Sequence, residues 1–373
     1  MARRQFVAAS AAAASTPTLA TARAGFPWAA NETYLNTATE HPLSKRTAAA
    51  MKEYLDALVN GPDAEREKFE NGRLMTKVKE MFAALINAKP AEIGFTPSTQ
   101  TGENIVLEGL GVMTGGNVVT NDLHYGGSLL NYRERRKQGL DTRIVEHKDH
   151  VMDFRDLERA VDRKTKLVAI ALVSNVNGYV HEVRKIADLA HAHGAYVYAD
   201  AIQAAGAVPV DVKAMGIDFL ACSAYKWLMG GRFGYLYVRE DLQERVLKAK
   251  LFGGRTTPKG ASRYEISTVS HLGCVCQSEA LAYIHALGVD RIRAHTRPLV
   301  ERLAKELPAL GYPCITPKGN DSPIVSFALK DPAVAKAKLK KAKVVVTLGG
   351  YMRVSPSVFN DMADVDRLIA ALA

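Results

Sequence analysis

The segment YADAIQAAGAVPVDVKAMGIDFLACSAYKWLMGG, residues 198–231, contains residue types that together could do covalent chemistry on a carbonyl compound. Asp200 and Gln203 come just after the apolar run AYVYA, and Lys226 comes just after a second apolar run, DFLACSA. A desolvated lysine amine loses its proton more easily and then forms a Schiff base with an aldehyde. A carboxylate, an amide and an amine at the ends of two buried strands therefore predict a site for an aldehyde ligand.

The residues can be compared with what one such aldehyde, pyridoxal 5'-phosphate, requires. Its ring nitrogen needs an anionic partner to stay protonated and act as an electron sink, and Asp200 supplies that charge. Gln203, on the same turn, can donate a hydrogen bond to the phenolic oxygen of the ring. A phosphate group needs backbone amides at a helix start together with hydroxyl groups. Residues 96–104, TPSTQTGEN, precede the helical run IVLEGL and offer them, and Ser223 and Tyr225 flank the lysine.

Apolar runs separated by helical stretches indicate the elements that must position these residues. Strands are predicted at 116–121, 142–147, 166–173, 195–199, 218–223 and 233–238, with a helix at 183–194. This alternation predicts an α/β fold with a mostly parallel sheet and helices on both faces. Ligands bind beyond the carboxyl ends of the strands in such sheets. We therefore expect one site built from the strand ends that precede Asn175, Asp200, Lys226 and the segment DLHY at 122–125.

The pattern of predicted helices and strands changes after residue 260, which predicts a second, smaller α+β domain. A long helical segment at 275–310 is followed there by short strands and a final helix at 361–372. We predict a large cofactor-binding domain with an N-terminal arm at 25–260 and the small domain at 261–373.

Residues 1–24 have the layout of an export signal, with a basic start, a mildly apolar alanine-rich middle and Ala-Arg-Ala before Gly25. The pair Arg3-Arg4, followed by Gln-Phe-Val, resembles a twin-arginine signal, a type that exports proteins already folded around a cofactor. The sequence therefore predicts cleavage after Ala24 and a periplasmic protein. A disordered alanine-rich tail on a cytoplasmic protein is the alternative interpretation.

Composition and charge argue against several other classes of protein. The 373 residues are 47% hydrophobic and 24% charged, which is ordinary for a globular protein. The formal charge is +10, but the densest basic run, RERRKQ at 133–138, lacks the interleaved aromatic residues of a nucleic-acid groove, so no nucleic-acid partner is predicted. No apolar stretch of 18 residues predicts a membrane span once the signal is removed. No metal site and no obligate disulfide are predicted from the spacing of Cys222, Cys274, Cys276 and Cys314.

The spacing Asp-x-x-Gln, the later Ser-x-x-Lys and the segment MRVSPSVFN resemble the class V aminotransferase-fold enzymes. These are fold type I pyridoxal phosphate proteins, and they include cysteine desulfurases, kynureninase and isopenicillin N epimerase-like proteins. The resemblance extends from Tyr34 to the end of the chain. It implies an amino acid substrate.

The resemblance also implies a role for each matching residue. It makes Lys226 the lysine of the Schiff base, Asp200 the partner of the pyridine nitrogen and Gln203 the residue facing the phenolic oxygen. It makes Arg353 the clamp for the substrate carboxylate, and it places Thr268 against the phosphate of a neighbouring subunit, which implies a homodimer with shared active sites. The further cofactor contacts that it implies are Thr99, Gln100, Asn175, Ser223 and Tyr225, with Asn175 near the phenolic oxygen or the substrate carboxylate.

The sequence departs from the family at two positions that contact the cofactor. Where many relatives place a histidine over the cofactor ring, we align Tyr125, with His124 one residue before it, and both are candidate catalytic residues. A tyrosine stacks equally well but is a poorer proton carrier near neutral pH. Desulfurases usually have a histidine at the position of Tyr225.

The fold does not choose between transamination, epimerisation and β-elimination. Transfer of sulfur to an enzyme thiol is not expected, because the segment KKAKVVVTLGGYMRVSP before and around Arg353 has no cysteine and Cys314 lies well upstream. The sequence predicts an aminotransferase-like enzyme, with a carbon–sulfur or β-lyase or an epimerase as the alternative. A non-catalytic binding protein on the same fold is the alternative of another class, and the intact Asp200, Gln203 and Lys226 argue against it.

Overall fold

The protein, described here by a computed structural model over residues 17–70, 72–249 and 259–373, is built on three β-sheets. The first part of the predicted export signal, residues 1–16, lies outside the described residues. The strands are β1 (Thr33–Tyr34), β2 (Ile93–Thr96), β3 (Asn117–Asn121), β4 (Asp141–Val145), β5 (Thr165–Ala171), β6 (Tyr196–Asp200), β7 (Phe219–Ser223), β8 (Gly234–Val238), β9 (Val325–Ala328), β10 (Val344–Val345), β11 (Thr347–Leu348) and β12 (Tyr351–Val354).

The helices either cover the largest sheet or pack near the C-terminal end of the chain. They are α1 (Leu19–Ala22), α2 (Lys45–Asn60), α3 (Asp63–Glu70), α4 (Gly72–Leu85), α5 (Thr99–Gly109), α6 (Gly126–Lys137), α7 (Phe154–Ala160), α8 (Val183–Ala192), α9 (His271–Leu287), α10 (Val289–Glu306), α11 (Pro332–Lys341) and α12 (Met362–Leu372).

The largest sheet has seven strands in the order β2-β8-β7-β6-β5-β3-β4. Strands β3 to β7 run parallel to their neighbours within this set, whereas β8 and β2 join the edge in antiparallel orientation. Successive residues of β7 pack in two different hydrophobic clusters. Phe219 and Ala221 lie in the cluster that includes side chains of α5. Leu220 and Cys222 lie in the cluster that includes side chains of α8 and α9. Because side chains alternate across a strand, this arrangement means that helices cover both faces, and the predicted α/β fold is confirmed.

The C-terminal part of the chain forms its own hydrophobic cluster. The antiparallel sheet β11-β12-β9 packs there with side chains of α10, α11 and α12. The N-terminal arm reaches this unit, because β1 pairs in parallel with β10 and Leu35 is buried in the same cluster. The boundary at residue 260 stays a prediction.

The predicted long helix at 275–310 is wrong in one respect, because the structure has two helices there. Gly288 separates α9 from α10 and has φ +79°, a left-handed backbone conformation that glycine adopts without a Cβ penalty. The two helical segments, 271–287 and 289–310, meet at 74°. No single described helix is long and apolar enough to cross a membrane.

The end of the predicted signal packs against the C-terminal unit. Arg23 donates from Nη1 to Asp364 Oδ2 at 2.7 Å and to the backbone carbonyl of Phe359 at 2.8 Å, and Asp364 has only 1% of its side chain exposed. Burial alone raises the pKa of Asp364, but hydrogen bonds from Arg23 and Asn360 outweigh it and the net shift is downward. The predicted cleavage after Ala24 would remove the guanidinium partner of this carboxylate.

Candidate active site

The carboxyl ends of β6 and β7 open into a pocket of about 180 Å³ beside the first turn of α5. This position is the one expected of a ligand site in an open α/β sheet. The structure brings seven of the predicted site residues together in its wall: Thr99, Gln100, Tyr125, Asp200, Ser223, Tyr225 and Lys226. The other predicted site residues do not line this pocket: these are His124, Gln203, Asn175 and Arg353, and Thr268, which lines a neighbouring pocket.

Lys226 follows β7 and is only 7% exposed. Burial lowers the pKa of its amine to about 8, while the charge of Asp200 acts in the opposite direction. Its Nζ lies 5.7 Å from the centroid of the Tyr225 ring, and no side chain or backbone group of the described chain forms a hydrogen bond or ion pair with it. The amine is therefore buried and without a hydrogen-bond partner among the described residues, which are conditions that favour Schiff-base formation. Its role as the Schiff-base lysine stays a prediction.

The lowered pKa of Lys226 gives cofactor attachment a testable pH dependence. Only the neutral amine attacks an aldehyde, so the rate at which the apoprotein attaches pyridoxal phosphate is expected to rise with pH and level off. The midpoint is expected near pH 8 and not near the ordinary lysine value of 10.5. Stopped-flow absorbance measures this rate across the range. A midpoint at the ordinary value would mean that water solvates this amine in the free protein.

Asp200, the last residue of β6, presents one unoccupied carboxylate oxygen to the pocket. Its Oδ1 accepts a hydrogen bond from the backbone N–H of Ile202 at 2.9 Å, and no donor among the described residues contacts Oδ2. Burial raises the pKa of Asp200, and the nearby His124 opposes that shift. The protonated ring nitrogen of pyridoxal phosphate could donate the hydrogen bond that this buried carboxylate oxygen lacks, so Asp200 fits the cofactor.

The first turn of α5 faces the end of the pocket that suits a phosphate group. The backbone N–H of Thr99 donates to Ser223 Oγ at 2.7 Å, and the N–H of Ser223 donates to Thr99 Oγ1 at 2.8 Å, so the helix start and the strand end hold each other. Gly102 lets the helix lie this close, because a Cβ there would stand 2.7 Å from Ala221 Cβ. Helix N-termini with adjacent hydroxyls bind phosphate, so these residues also fit the cofactor.

The structure separates the two aromatic candidates of the segment DLHY. Tyr125 is 45% exposed and lines the pocket, whereas His124 is buried. His124 Nδ1 accepts the backbone N–H of Tyr125 at 2.7 Å, which leaves the proton of a neutral ring on Nε2. Burial lowers the pKa of His124, with a smaller opposing effect from Asp200. Which of the two contacts the cofactor ring stays a prediction.

Gln203 is buried, and both polar atoms of its amide already have a hydrogen-bond partner. Its Nε2 donates to the backbone carbonyl of Ala38 at 3.0 Å, and its Oε1 accepts from Trp227 Nε1 at 2.7 Å. Because an amide nitrogen carries two protons, one N–H remains for the predicted bond to the phenolic oxygen.

A buried carboxylate near His124 was not predicted from the sequence. Glu103, in α5, accepts hydrogen bonds from Ser128 at 2.5 Å and from Tyr132 at 2.6 Å, and its Oε1 lies 3.8 Å from the unpartnered Nε2 of His124. Burial raises the pKa of Glu103 above its usual range. The helical spacing from Thr99 places this residue on the inner face of α5, which is the signal that sequence reasoning overlooked.

Arg353, on β12, is a buried cation without an anionic partner among the described residues. Its Nη1 donates to the backbone carbonyl of Asn175 at 2.7 Å, and its Nη2 donates to Thr39 Oγ1 at 2.8 Å and to Thr347 Oγ1 at 3.0 Å. Arg353 Nε and Asn175 Oδ1 are buried with no hydrogen-bond partner in the described chain. Burial lowers the pKa of this arginine. Only neutral oxygens surround the guanidinium, so a substrate carboxylate would supply the charge that it lacks.

Thr268 lies outside this pocket. It is exposed and lines a neighbouring pocket of about 290 Å³, which shares Pro97 and Arg232 with the first one. Its contact with the phosphate of another subunit stays a prediction. No three His, Cys, Asp or Glu side chains in the described part of the chain cluster in a way that could hold a metal ion.

Comparisons with known proteins identify the family and the fold of the chain. Residues 33–368 match the family model described as Aminotransferase class-V. A probable cysteine desulfurase of Methanothermobacter thermautotrophicus is 30% identical over 346 residues, which are 88% of this chain and 86% of the relative. The apo structure of a cysteine desulfurase from Thermococcus onnurineus NA1 superimposes with a TM-score of 0.82 at 26% identity, covering 93% and 95% of the two chains. The cystine C-S lyase C-DES, at 22% identity, shares the fold with a TM-score of 0.85 over 93% of this chain and 98% of its own.

Proposed function

Because the chain belongs to the class V aminotransferase family of pyridoxal phosphate-dependent enzymes, we propose that it is a lyase that cleaves the carbon–sulfur bond of a cysteine-derived amino acid. The relatives at 30% identity are named as cysteine desulfurases, and they support carbon–sulfur chemistry over the aminotransferase reaction that the sequence predicts first. The lyase alternative thus becomes the preferred function.

The positions of the cysteines favour elimination over transfer of sulfur to the enzyme. Cys222 is buried in β7, Cys274 and Cys276 are buried in α9, and Cys314 pairs with Phe327 beside β9. None of them lines the pocket, and burial raises the pKa of each thiol. A protonated, distant thiol is a poor nucleophile. This observation carries the proposal that the sulfur leaves with the product.

The described residues provide what such an elimination requires. The cofactor, when bound, withdraws electrons from the substrate α-carbon. Asp200 keeps the ring nitrogen protonated, and Thr99 and Ser223 hold the phosphate end. Arg353 binds and orients the α-carboxylate, and the buried Lys226 amine takes the α-proton. The carbon–sulfur bond then breaks; a thiol, pyruvate and ammonia result after one water is added.

Product analysis of the purified holoenzyme tests the reaction. With L-cystine or an S-substituted cysteine we expect equal amounts of pyruvate and of released sulfur product. Alanine without pyruvate would instead indicate desulfuration through an enzyme thiol, and amino-group transfer to a 2-oxo acid would indicate a transaminase. Inversion at the α-carbon without bond cleavage would indicate an epimerase.

Cys314→Ala provides the matched control, because Cys314 is the only cysteine of the chain that is not fully buried. We expect this variant to release sulfur at the wild-type rate. Loss of sulfur release in Cys314→Ala, with the pyridoxal phosphate content unchanged, would contradict elimination without an enzyme thiol.

Arg353→Ala is expected to lower kcat/KM by roughly 30-fold or more. Loss of one partner of a buried charge pair costs about 2–5 kcal/mol, and here the lost partner binds the α-carboxylate. Arg353→Lys should recover only part of the activity, since an ammonium does not reproduce the two parallel hydrogen bonds of a guanidinium. The absorbance spectrum of the bound cofactor should stay unchanged. Normal kinetics in Arg353→Ala would show that the carboxylate is bound elsewhere.

We also propose that the protein is exported as a folded holoenzyme through its twin-arginine-type signal. The pair Arg3-Arg4 and the Ala-Arg-Ala before Gly25 support this proposal. Changing both arginines to lysine should block export without changing folding. N-terminal sequencing of the periplasmic protein locates the cleavage, and a start at Gly25 is expected. A protein that starts there lacks Arg23, the partner of Asp364. An intact start in the cytoplasm would contradict the proposal.

The homodimer with shared active sites is likewise our proposal. It is supported by the exposed position of Thr268 in a pocket adjacent to the cofactor site. Light scattering of the purified holoenzyme is expected to give twice the monomer mass. Thr268→Val should then weaken cofactor retention in the dimer; a fully active monomer would contradict the shared site.

A further inference from the structure

The phosphate end of the cofactor pocket has few positive charges. The residues that form it, Thr99, Gln100, Ser223 and Tyr225, are all neutral. A phosphate monoester carries a charge of about −1.5 to −2 at neutral pH, and a helix N-terminus contributes only about +0.5. Lys226 does not supply the positive charge that is still missing, because its amine is needed at the aldehyde end of the cofactor.

Arg232 lies in the wall of the same pocket and has no described anionic partner. It is exposed, it lines the pocket together with Thr99 and Gln100, and none of the carboxylates of the described chain forms an ion pair with it. It comes two residues before Gly234, which pairs with Ser223 in the sheet. The backbone at Arg232 therefore lies at the same sheet edge as the phosphate end of the pocket.

The aromatic ring of Tyr225 holds the guanidinium in place. The central carbon of the Arg232 guanidinium lies 5.4 Å from the ring centroid, a distance typical of a cation–π contact. Lys226 Nζ lies 5.7 Å from the same centroid. The buried Lys226 amine and the exposed Arg232 guanidinium thus lie near the same tyrosine ring.

We propose that Arg232 binds the phosphate group of the cofactor. A guanidinium presents planar paired donors that match phosphate oxygens, and those of Arg232 form no ion pair with a described carboxylate. Arg232 supplies the side-chain cation that Thr99, Gln100, Ser223 and Tyr225 lack. This inference rests on the cofactor that the family binds and is independent of the choice between elimination and other reactions.

A substrate carboxylate has the same chemistry as the phosphate for this purpose. Cystine carries a second carboxylate far from its reacting carbon, and a guanidinium at the pocket wall would bind it equally well. The experiment must therefore separate an anion of the cofactor from an anion of the substrate.

The test compares the binding of pyridoxal phosphate with that of pyridoxal, which lacks the phosphate, to the apoprotein. Arg232→Gln is expected to weaken pyridoxal phosphate binding by about 10- to 100-fold, as expected for a lost charge-assisted hydrogen bond, and to leave pyridoxal binding unchanged. Arg232→Lys is expected to bind pyridoxal phosphate with an affinity between those of the wild type and Arg232→Gln. The matched control is Arg163→Gln, at an exposed arginine just before the amino end of β5, whereas the pocket lies at the carboxyl ends of β6 and β7; this variant should bind both ligands like the wild type.

Three results would overturn the proposal. Equal weakening of both ligands, with a lowered unfolding temperature of the apoprotein, would assign Arg232 a structural role. Unchanged binding of both ligands would show that no phosphate contact exists. Unchanged cofactor binding with a raised KM for cystine, but not for cysteine derivatives that lack a second carboxylate, would assign Arg232 to the substrate.

Discussion

Replacing Lys226 with alanine is expected to remove the covalent link to the cofactor and to lower turnover on the order of 10³-fold or more. The buried amine, with a pKa of about 8, has two tasks: it bonds to the aldehyde and it takes the substrate α-proton. No second lysine lines the pocket to replace it. The fold should persist, because removing an amine without a hydrogen-bond partner in the described chain leaves no other group unsatisfied.

Two measurements separate the link from binding in Lys226→Ala. The visible absorbance band of the holoenzyme should disappear, and borohydride should no longer fix the cofactor to the chain. Lys213→Ala, at an exposed lysine away from the pocket, is the control and should keep both properties. A borohydride-stable cofactor in Lys226→Ala would show that another amine forms the link.

Asp200→Asn is expected to keep the covalent link but to lower kcat by roughly 30- to 5,000-fold, the equivalent of about 2–5 kcal/mol for one lost partner of a buried charge pair. An asparagine fills the same space, but it does not hold a proton on the ring nitrogen, so the cofactor withdraws electrons less well. Steady-state kinetics with the borohydride test shows whether chemistry is lost while attachment remains. Wild-type turnover would mean that another group protonates the ring.

The same variant is expected to stabilise the apoprotein. Burial raises the pKa of Asp200, so the folded state pays a cost for the charged carboxylate above that pKa, and the cost disappears as the pH falls below it. Apo Asp200→Asn should therefore unfold at a higher temperature than the wild type at pH 8, and the difference should shrink toward acid pH. A lower unfolding temperature at pH 8 would show that the carboxylate stabilises the free protein.

The main chemistry of the site follows from local patterns that a sequence displays directly. Asp200 ends β6 and Lys226 follows β7, as the apolar runs before them predict. Buried parallel strands read as continuous apolar runs, and their carboxyl ends share one edge of the sheet. The placement of Ser223 and Thr99 follows for the same reason, since a strand end and a helix start are both visible as local signals.

The pairing of short strands is less visible in the sequence. The segment VVVTL reads as one strand, but Val344–Val345 pairs with β1 and Thr347–Leu348 pairs with β12, in two different sheets. The edge strand Ile93–Thr96 was not predicted, because its short apolar run resembles the end of the helix before it. These features depend on which distant segment pairs with each strand.

By itself the sequence determined the α/β class, because strand ends are encoded by a few neighbouring residues, and its resemblance to a family determined the cofactor. Only the tertiary structure decided the partners of Arg353, one of which is Thr39, 314 positions away in the chain. It also decided that His124 is buried beside Glu103 while Tyr125 lines the pocket, and that Arg232 stands against Tyr225. Such contacts depend on how the helices and loops pack across the sheet, and packing depends on residues far apart in sequence, which no local pattern records.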